Sequence, residues 1–471
     1  MDQGILPEQL NIIATIVIVV IVLVTILLLM KEGIDATKIT VTGAIVVTII
    51  YLIFFNNWRQ GFHDNLQMEI DPLDMNANFL EALSKTINVE AILIIFSVSI
   101  IVALTKGAGF FDFISLSIVK LTKGDPKKLL VALGGLTFFV SMFFDNLSAI
   151  ILLGSLTVVI TKQLELDSRP FVLFVGINTI IGGLPTPVSS LPNIIFFNLY
   201  QGAEMTFIRF MLYMLPIALI FFGLATGFFF LIYRKEIFIE VSDEKKEQLR
   251  RINPWSGIEN RNNIWKSIIL LGVLFAGFLL TSIDANPIDV ALVALISAVF
   301  GIFLFRTDLK KYLEEGVEWQ MIVFFIALFV MMGILTAAGA LAGLNEMIGK
   351  IISGKEDISG QILVALIIGA IGLPITGFLN GSSSALIFSY IYQSIQVEVQ
   401  TGLWIAFVLS GNIGGALTPL GSITILMALE ILNREGDRMS FFEYVKKMLP
   451  LTLVFGILSI CYSMFLIALQ L

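Results

Sequence analysis

The chain has 471 residues, of which 57% are hydrophobic and 14% are charged, with a mean hydropathy of +0.94. Soluble domains contain about 45–50% apolar and about 25% charged residues, so this composition predicts a protein of the lipid bilayer. The net charge of −7 gives no indication of nucleic-acid binding, and a single cysteine (Cys461) with a single histidine (His63) excludes a disulfide or zinc framework. Cys461 is expected in the packed core of the last apolar helix, and His63 in a solvated loop.

Apolar stretches of about 20 residues, each long enough to cross the hydrocarbon, recur along the whole chain. Ten full spans are predicted, at 10–30, 38–55, 89–105, 170–200 and 207–233 in the first half and at 265–281, 287–305, 319–342, 402–432 and 445–470 in the second. The run from Ile12 to Met30 is too long for a signal-peptide core and no basic residue precedes it. It is therefore expected to be a mature first helix.

Between the third and fourth span of each half lies an apolar stretch that is interrupted by a polar centre. These stretches are 128–163, centred near Asp145, and 361–397, centred near Gly381. Irregular backbone at membrane depth is tolerated only where it lines a cavity or is buried in protein. Both stretches are therefore predicted to be re-entrant hairpins, with the polar residues at their tips.

The basic residues favour this topology, because cytoplasmic loops are rich in Lys and Arg. With the N-terminus outside, and with each hairpin returning to the side from which it entered, 24 of the 29 Lys and Arg residues lie inside. The prediction is a multi-pass protein of the plasma or inner membrane with both termini extracytoplasmic. Its parts are a first repeat (1–233), a cytoplasmic linker (234–264) and a second repeat (265–471), which begins on the opposite face of the membrane.

The two halves also carry matching motifs in the same order. Phe144-Asp145-Asn146-Leu147-Ser148 aligns with Phe378-Leu379-Asn380-Gly381-Ser382, and Gly182-Gly183-Leu184-Pro185-Thr186-Pro187 aligns with Gly414-Gly415-Ala416-Leu417-Thr418-Pro419. Repeats of this kind in halves of opposite orientation are typical of secondary transporters. The predicted fold is an all-α polytopic membrane protein of two inverted-topology repeats, each with five transmembrane helices, one re-entrant hairpin and one broken helix.

The Gly-Gly and Thr-Pro motifs predict where the fourth and ninth spans break. Proline lacks an amide donor and clashes with the preceding turn, so 182–187 and 414–419 should interrupt the helices near the membrane centre. Each break leaves carbonyls without intrahelical partners on one side and amides on the other. The carbonyl end attracts a cation and the amide end attracts an anion.

The candidate ligands share small hydroxyl, amide or backbone groups, which suit a sodium ion or an oxyanion. They are Asp145, Asn146, Ser148, Asn178, Gly182, Gly183, Thr186, Pro187 and Asn193 in the first half, and Asn380, Gly381, Ser382, Ser383, Asn412, Gly414, Gly415, Thr418, Pro419 and Ser422 in the second. Asp145 has two interpretations. A carboxylate at membrane depth costs at least about 2.5 kcal/mol, which indicates a cation ligand or proton carrier, but the same residue could cap the second hairpin helix.

At these motifs the chain resembles the ion transporter superfamily, which includes arsenite and citrate permeases, sodium/dicarboxylate symporters, P proteins and some sodium/proton antiporters. The resemblance implies a dimerising scaffold and a mobile transport domain that carries the hairpins and broken helices. It also implies a sodium site at each hairpin tip, with substrate between the two sites. The implied sodium ligands are Asp145, Asn146, Ser148 and Thr186 in the first half, and Asn380, Ser382 and Thr418 in the second.

The chain departs from the antiporter-like members where Ser189-Ser190 and Gly421-Ser422 replace their Gly-Asp pairs. The leading hypothesis is a secondary transporter of a small inorganic or organic anion, coupled to Na⁺ or H⁺ and working by an elevator mechanism. The alternative is a Na⁺/H⁺ antiporter that uses Asp145; a membrane enzyme and a passive channel are disfavoured. The expected partners are a small anionic or polar solute, the lipid bilayer and a second copy in a homodimer, with no cofactor beyond the coupling ion.

Overall fold

In the computed structural model of the chain, the described residues form helices joined by turns and loops, with no strands among them. Those residues are 7–29, 36–55, 58–66, 78–144, 146–200, 205–239, 241, 253–255, 258, 260–282, 289–306, 309–317, 319–340, 358–379, 381–393 and 400–469. Within these ranges, eight helices are long and apolar enough to cross a membrane, and four shorter apolar helices accompany them. The predicted all-α membrane fold is confirmed.

The helices of the first half alternate between long apolar segments and short connecting ones. They are α1 (Pro7–Leu29), α2 (Ala36–Phe54), α3 (Trp58–Leu66), α4 (Phe79–Ser84), α5 (Val89–Gly107), α6 (Phe110–Thr122), α7 (Pro126–Ser141), α8 (Asn146–Gln163), α9 (Ser168–Gly182), α10 (Leu191–Leu199), α11 (Phe207–Ile232) and α12 (Arg234–Ile237).

The helices of the second half include one short 3₁₀ turn. They are α13 (Arg261–Leu280), α14 (Val290–Phe305), α15 (Leu309–Glu315), α16 (Trp319–Ala337), α17 (Ile358–Leu379), α18 (Gly381–Gln393), α19 (Thr401–Ile413), the 3₁₀ turn (Gly414–Ala416), α20 (Ile423–Arg434) and α21 (Phe441–Ala468).

The chain divides into two compact units. The first contains residues 1–92, 318–354 and 390–396. In it, α2 packs against α16 and α1. Tyr51 on α2 is buried and its hydroxyl donates to Trp58 O at 3.2 Å, while Thr15 Oγ1 donates to Ala338 O at 2.8 Å just beyond α16.

The second unit contains residues 93–317, 355–389 and 397–471 and holds the predicted hairpin tips and helix breaks. The two arms of the first predicted hairpin, α7 and α8, both pack against α9. In the second half, α17 packs against α19 and α21, which also pack against each other. The helix that follows the break in the second half, α20, packs against α8 and α9 of the first half.

Local sequence explains where the helices of this unit begin. Asp125 caps α7 by accepting from Lys127 N at 3.0 Å, with Pro126 in the first turn, where its missing amide has no consequence. Ser440 caps α21 in the same way through Glu443 N at 3.2 Å. The predicted spans coincide with helices, and 170–200 and 402–432 each contain two helices with a break between them. The inverted orientation of the repeats and the boundaries 1–233, 234–264 and 265–471 remain predictions.

Two sequence expectations need correction, those for His63 and Cys461. The polar stretch that contains His63 was expected to be a loop, but it includes α3. His63 is half-exposed as expected, yet it lies on α3, where its Nδ1 is 2.8 Å from Asp64 Oδ1 and this hydrogen bond lowers the pKa of Asp64. Cys461 is exposed rather than packed in the core, since it lies on an outward face of α21. An apolar sequence does not distinguish the core from a lipid-facing surface.

Candidate functional site at the two helix breaks

The first break separates α9 from α10, and it is buried along its length. Helix α9 ends at Gly182, and α10 begins at Leu191 with Pro192 in its first turn. Residues 181–189 are buried. A buried loop must satisfy its own backbone groups, so the partners of its carbonyls decide what else it can bind.

Asn193 supplies most of those partners. Its Nδ2 lies 2.8 Å from Gly183 O, 2.8 Å from Thr186 O and 3.3 Å from Leu184 O. The hydroxyl of Ser189 also donates to Gly183 O. An amide has two hydrogens, so Asn193 is fully used as a donor. Gly183 O receives two donors and has no lone pair left for a ligand in this arrangement.

The first predicted hairpin meets this break through backbone contacts and one hydroxyl. Thr186 Oγ1 donates to Met142 O, which follows directly after α7. A Cβ at Gly182 would lie 2.4 Å from Phe138 O, so only glycine allows α9 to approach α7 this closely. Asp145 lies outside the described residues, between Phe144 and the start of α8.

Three buried oxygens near the first hairpin accept no hydrogen bond from any described residue. They are Asn146 Oδ1, Asn178 Oδ1 and Ser141 Oγ. Asn146 lies against the first break, because a Cβ on Gly183 would be 2.7 Å from its Oδ1. Asn178 donates through Nδ2 to Phe174 O at 2.8 Å, so its oxygen is the group left over. Buried polar atoms of this kind are uncommon in folded proteins, so these oxygens are candidate ligands for a water, an ion or a solute.

The second break differs in the donors that serve its carbonyls. After α19 the chain continues as the 3₁₀ turn, and residues 411–419 are buried. The last carbonyl of this turn, Ala416 O, accepts from Tyr444 OH at 2.9 Å and lies 3.3 Å from Thr452 Oγ1, whose one hydrogen is shared with Met448 O at 3.0 Å. Both side chains come from α21, which therefore closes the carbonyl end of this break.

The second predicted hairpin is held to its break more tightly than the first. Thr418 Oγ1 donates to Gly377 O and accepts from Leu420 N at 3.1 Å and Gly421 N at 3.2 Å. Gly381 N at the start of α18 donates to Gly421 O at 3.1 Å. The hydroxyl of Thr418 is therefore saturated in this arrangement, and its predicted role as a sodium ligand remains a prediction.

Several predicted residues at the second tip cannot be placed. Asn380 lies outside the described residues, and the side chains of Ser382 and Ser383 do as well, although their backbone belongs to α18. Ser148 is buried on α8. Ser422 caps α20 by accepting from Thr424 N at 3.3 Å, so one role for its hydroxyl is structural.

The two breaks are joined directly by a pair of asparagine amides. Asn412 Nδ2 donates to Asn193 Oδ1 at 2.8 Å and to Val408 O at 2.8 Å. Ser190 Oγ donates to Asn412 Oδ1 at 3.1 Å. Nearby, Trp404 Nε1 donates to Phe196 O at 2.9 Å, which fixes α19 to α10. The carbonyls of the first break and the helix that leads into the second therefore form one hydrogen-bonded network.

A small cleft of about 10 Å³ opens beside the second break. Its lining combines small and apolar side chains: Gly369, Leu373, Leu409, Ser410, Ile413, Gly414, Gly456 and Ser459. This volume holds about one water molecule. A ligand pocket for a larger organic molecule needs roughly 300 Å³ or more, so this cleft is large enough for a water molecule and too small for such a substrate.

The described part of the site is neutral. The residues that form the two breaks, 182–190 and 414–422, include no charged side chain. Within the described part of the chain, no cluster of three or more His, Cys, Asp or Glu residues could hold a metal ion. The site therefore presents amides, hydroxyls and carbonyls, which are ligands for a hard monovalent cation or an oxyanion.

Comparison with known proteins assigns the chain to a family. The family model described as "Citrate transporter", CitMHS, matches residues 9–410. The chain belongs to the CitMHS family. It is a multi-pass integral membrane protein with the fold of a transporter, and this family is one of transporters rather than enzymes.

Relatives and a solved structure agree with this membership. The chain is 26% identical over 382 residues to "Uncharacterized transporter Rv2685" of Mycobacterium tuberculosis, covering 79% of this chain and 85% of the relative. It is 20% identical over 445 residues to the P protein of Mus musculus, covering 80% of this chain and 53% of that protein. The crystal structure of the Alcanivorax borkumensis YdaH transporter superposes with a TM-score of 0.58 at 14% identity, covering 90% of this chain and 98% of that one. At that identity the likeness concerns the fold alone.

In this CitMHS protein the structure brings together many of the residues that the motifs predicted. Asn146, Asn178, Gly182, Gly183, Thr186 and Asn193 surround the first break, and Gly381, Asn412, Gly414, Gly415, Thr418 and Ser422 surround the second. Sequence reasoning missed Tyr444 and Thr452. Their spacing of eight residues places both on one face of α21, and two polar side chains on one face of an apolar helix were the available signal.

Proposed function

We propose that this protein is a cation-coupled secondary transporter of a small anion, with citrate as the first candidate and sodium as the coupling ion. The single observation that carries the proposal is the set of buried, unpartnered oxygens beside the first break: Asn146 Oδ1, Asn178 Oδ1 and Ser141 Oγ. Asn146 Oδ1 lies against Gly183 of the break, Ser141 is the last residue of α7, and Asn178 is about one turn before the end of α9. Membership of a citrate-transporter family supports the substrate class.

Sodium fits these oxygens better than a proton does. Amide and hydroxyl oxygens are neutral near pH 7 and neither gain nor lose a net proton in the physiological range, but they coordinate hard cations. A sodium ion would supply the partner that the buried oxygens of Asn146 and Asn178 lack, which relieves the cost of burying them. Asp145 directly precedes Asn146 in the sequence and would complete such a site with a negative charge.

The anion would be held by amides and hydroxyls rather than by fixed positive charge. Helices α10 and α20 begin at the two breaks, and a helix amino-terminus carries about half a positive charge. Bound sodium would add the remaining attraction for a carboxylate. This arrangement makes anion binding depend on the cation, which is the requirement for symport. Movement of the hairpins and breaks as one body, in an elevator manner, and assembly as a homodimer in the plasma membrane are parts of the same proposal.

Uptake into proteoliposomes tests the proposal. Purified protein should accumulate radiolabelled citrate when an inward sodium gradient is imposed, and replacement of sodium by choline should abolish accumulation. A panel of succinate, phosphate and arsenite would define the substrate class. Absence of sodium-stimulated or proton-stimulated uptake for every anion in the panel would contradict the proposal.

One variant distinguishes the Na⁺/H⁺ antiporter alternative from the proposed anion symporter. If Asp145 exchanges protons for sodium, Asp145→Asn should abolish sodium-dependent proton movement in vesicles that contain no transportable anion. For an anion symporter, wild-type vesicles without the anion should show no such movement. Because Asn keeps one oxygen ligand, Asp145→Asn in the symporter should weaken sodium binding and leave residual citrate uptake.

A further inference from the structure

Asn412 is the point at which the two halves of the site touch through side chains. Its Nδ2 divides its two hydrogens between Val408 O in its own helix and Asn193 Oδ1 in the other half, both at 2.8 Å. Its Oδ1 accepts from Ser190 Oγ at 3.1 Å. Every polar atom of this side chain is therefore used, and Asn412 is only 7% exposed. A side chain held this way has one orientation.

Asn193, which Asn412 orients, sets the shape of the first break. Its Nδ2 can face Gly183 O and Thr186 O, at 2.8 Å each, only while its Oδ1 faces the opposite way. The donor from Asn412 holds Oδ1 there. If the Asn193 amide flipped, its oxygen would face carbonyl oxygens, and two buried carbonyls would lose their donor. The loop from 183 to 190 therefore keeps its shape because of a residue from the second half.

The matched position of the first half lacks this connection. Asn178 also donates to the carbonyl four residues earlier, Phe174 O at 2.8 Å, but its Oδ1 has no partner among the described residues. The equivalent asparagine of the second half thus serves a different purpose. The cross-half bond belongs to Asn412, whose neighbours Ile413 and Gly414 lead into the second break.

We propose that Asn412 is a positioning residue that couples the cation site of the first half to the anion site, by holding Asn193 over the carbonyls of the first break. This inference rests on the proposed function. A change in the shape of the first break on cation binding reaches Asn412 through one hydrogen bond and α19 through the next. The same path runs in reverse, because coupling between two ligands is reciprocal.

The test compares citrate affinity of purified full-length protein in sodium and in choline, measured by equilibrium binding of radiolabelled citrate. Wild-type protein should bind citrate at least about fivefold more tightly in sodium, at the lower end of typical coupling between sites. In Asn412→Ala this ratio should fall below about twofold, while the protein remains monodisperse and thermally stable enough to assay.

Two further variants separate positioning from a merely structural role. Ionised Asn412→Asp keeps an acceptor for Ser190 but has no hydrogen to donate to Asn193, so when it is assayed at alkaline pH it should lose the sodium ratio as Asn412→Ala does. It also provides a second variant if Asn412→Ala does not fold. Ser190→Ala removes the other bond but leaves the donation from Asn412 to Asn193, so it should reduce the ratio less than Asn412→Asp does. Asn433→Ala, at an exposed position of α20, is the matched control and should behave as wild type.

The experiment distinguishes failure of this inference from failure of the proposed function. A wild-type protein whose citrate affinity is the same in sodium and choline contradicts sodium coupling and the inference together. A wild-type ratio that persists in folded Asn412→Ala and Asn412→Asp overturns the inference alone. A ratio that is lost in Ser190→Ala and kept in Asn412→Asp also overturns it, because the signal would then run through the wrong bond.

Discussion

The two helix breaks share their Gly-Gly and Thr-Pro residues but differ in the hydrogen-bond partners of their carbonyls. At the first break, the carbonyls are served by Asn193 from within the same half, and the oxygens of Asn146 and Asn178 are left buried without a described partner. At the second break, Tyr444 and Thr452 reach across from α21 to Ala416 O. Within the described residues 410–424, no buried side-chain oxygen lacks a partner.

This difference supports the proposal that the two breaks have different roles, with the cation at the first. A duplicated motif provides two broken helices. The helices packed around each break then decide whether its oxygen atoms remain free to bind a ligand. The first break has unsatisfied oxygen atoms and is suited to bind a cation. The second is closed by α21 and by the saturated hydroxyl of Thr418, so the parts described are suited to hold the backbone rigid.

The largest expected effect is a loss of stability at the glycines where each break approaches the backbone of a predicted hairpin. A Cβ at Gly182 would lie 2.4 Å from Phe138 O, and one at Gly414 would lie 2.5 Å from Leu373 O. Gly182→Ala and Gly414→Ala should each destabilise the protein by about 3 kcal/mol, because backbone cannot yield as a side chain does. Thermal unfolding in detergent measures this. Gly223→Ala, where a Cβ meets nothing within 4 Å, is the control; an equal loss there would contradict the packing argument.

The threonines of the Thr-Pro motifs should differ from each other. Thr186→Val removes one donor to Met142 O and should cost about 1 kcal/mol, whereas Thr418→Val also removes the acceptor for two amides and should cost about 2 kcal/mol. The same thermal measurement compares the two isosteric variants. Equal losses would show that the second break is no more tightly held than the first.

Removal of an unpartnered oxygen should affect ion dependence more than stability. Asn146→Ala should raise the sodium concentration for half-maximal citrate uptake about tenfold, which corresponds to about 1.4 kcal/mol of lost cation binding. Its melting temperature should change little, since the oxygen has no described partner to lose. Unchanged sodium dependence in a folded Asn146→Ala protein would remove this atom from the site.

The smallest effect is expected at α21. Tyr444→Phe should cost about 0.5 kcal/mol, because the single hydrogen of Thr452 Oγ1, which is shared between Met448 O at 3.0 Å and Ala416 O at 3.3 Å, can then turn to Ala416 O. The double variant Tyr444→Phe/Thr452→Val should lose more than the two single variants together, because it leaves Ala416 O buried without either donor. Thermal unfolding of the three variants completes the cycle, and strict additivity would show that the two hydroxyls do not share an acceptor.

Much of this architecture could be predicted from the sequence. The Gly-Gly and Thr-Pro motifs place both breaks correctly because proline and glycine act on the local backbone, and local effects can be read from local sequence. The apolar spans follow from length and composition for the same reason. The segment α6, which is shorter and amphipathic, was missed because its apolar residues do not form a span-length run.

The partners of each break could not be predicted. That Asn193 serves carbonyls up to ten residues earlier, and that Asn412 donates to Asn193 across 219 positions, depends on how the halves pack. The same holds for Tyr444, which is 28 residues from its acceptor. The sequence predicts both Asn178 and Asn412 as site residues, but only the packing shows that the Asn178 oxygen has no described partner while Asn412 is fully hydrogen-bonded.

Direct binding of sodium tests the central claim, that the first break is the receptive one. Equilibrium binding of radioactive sodium to purified protein should show saturable binding in the wild type and in Asn433→Ala, with an affinity at least about tenfold lower in Asn178→Ala. Sodium binding to a folded Asn178→Ala protein that matches the wild type would contradict the account.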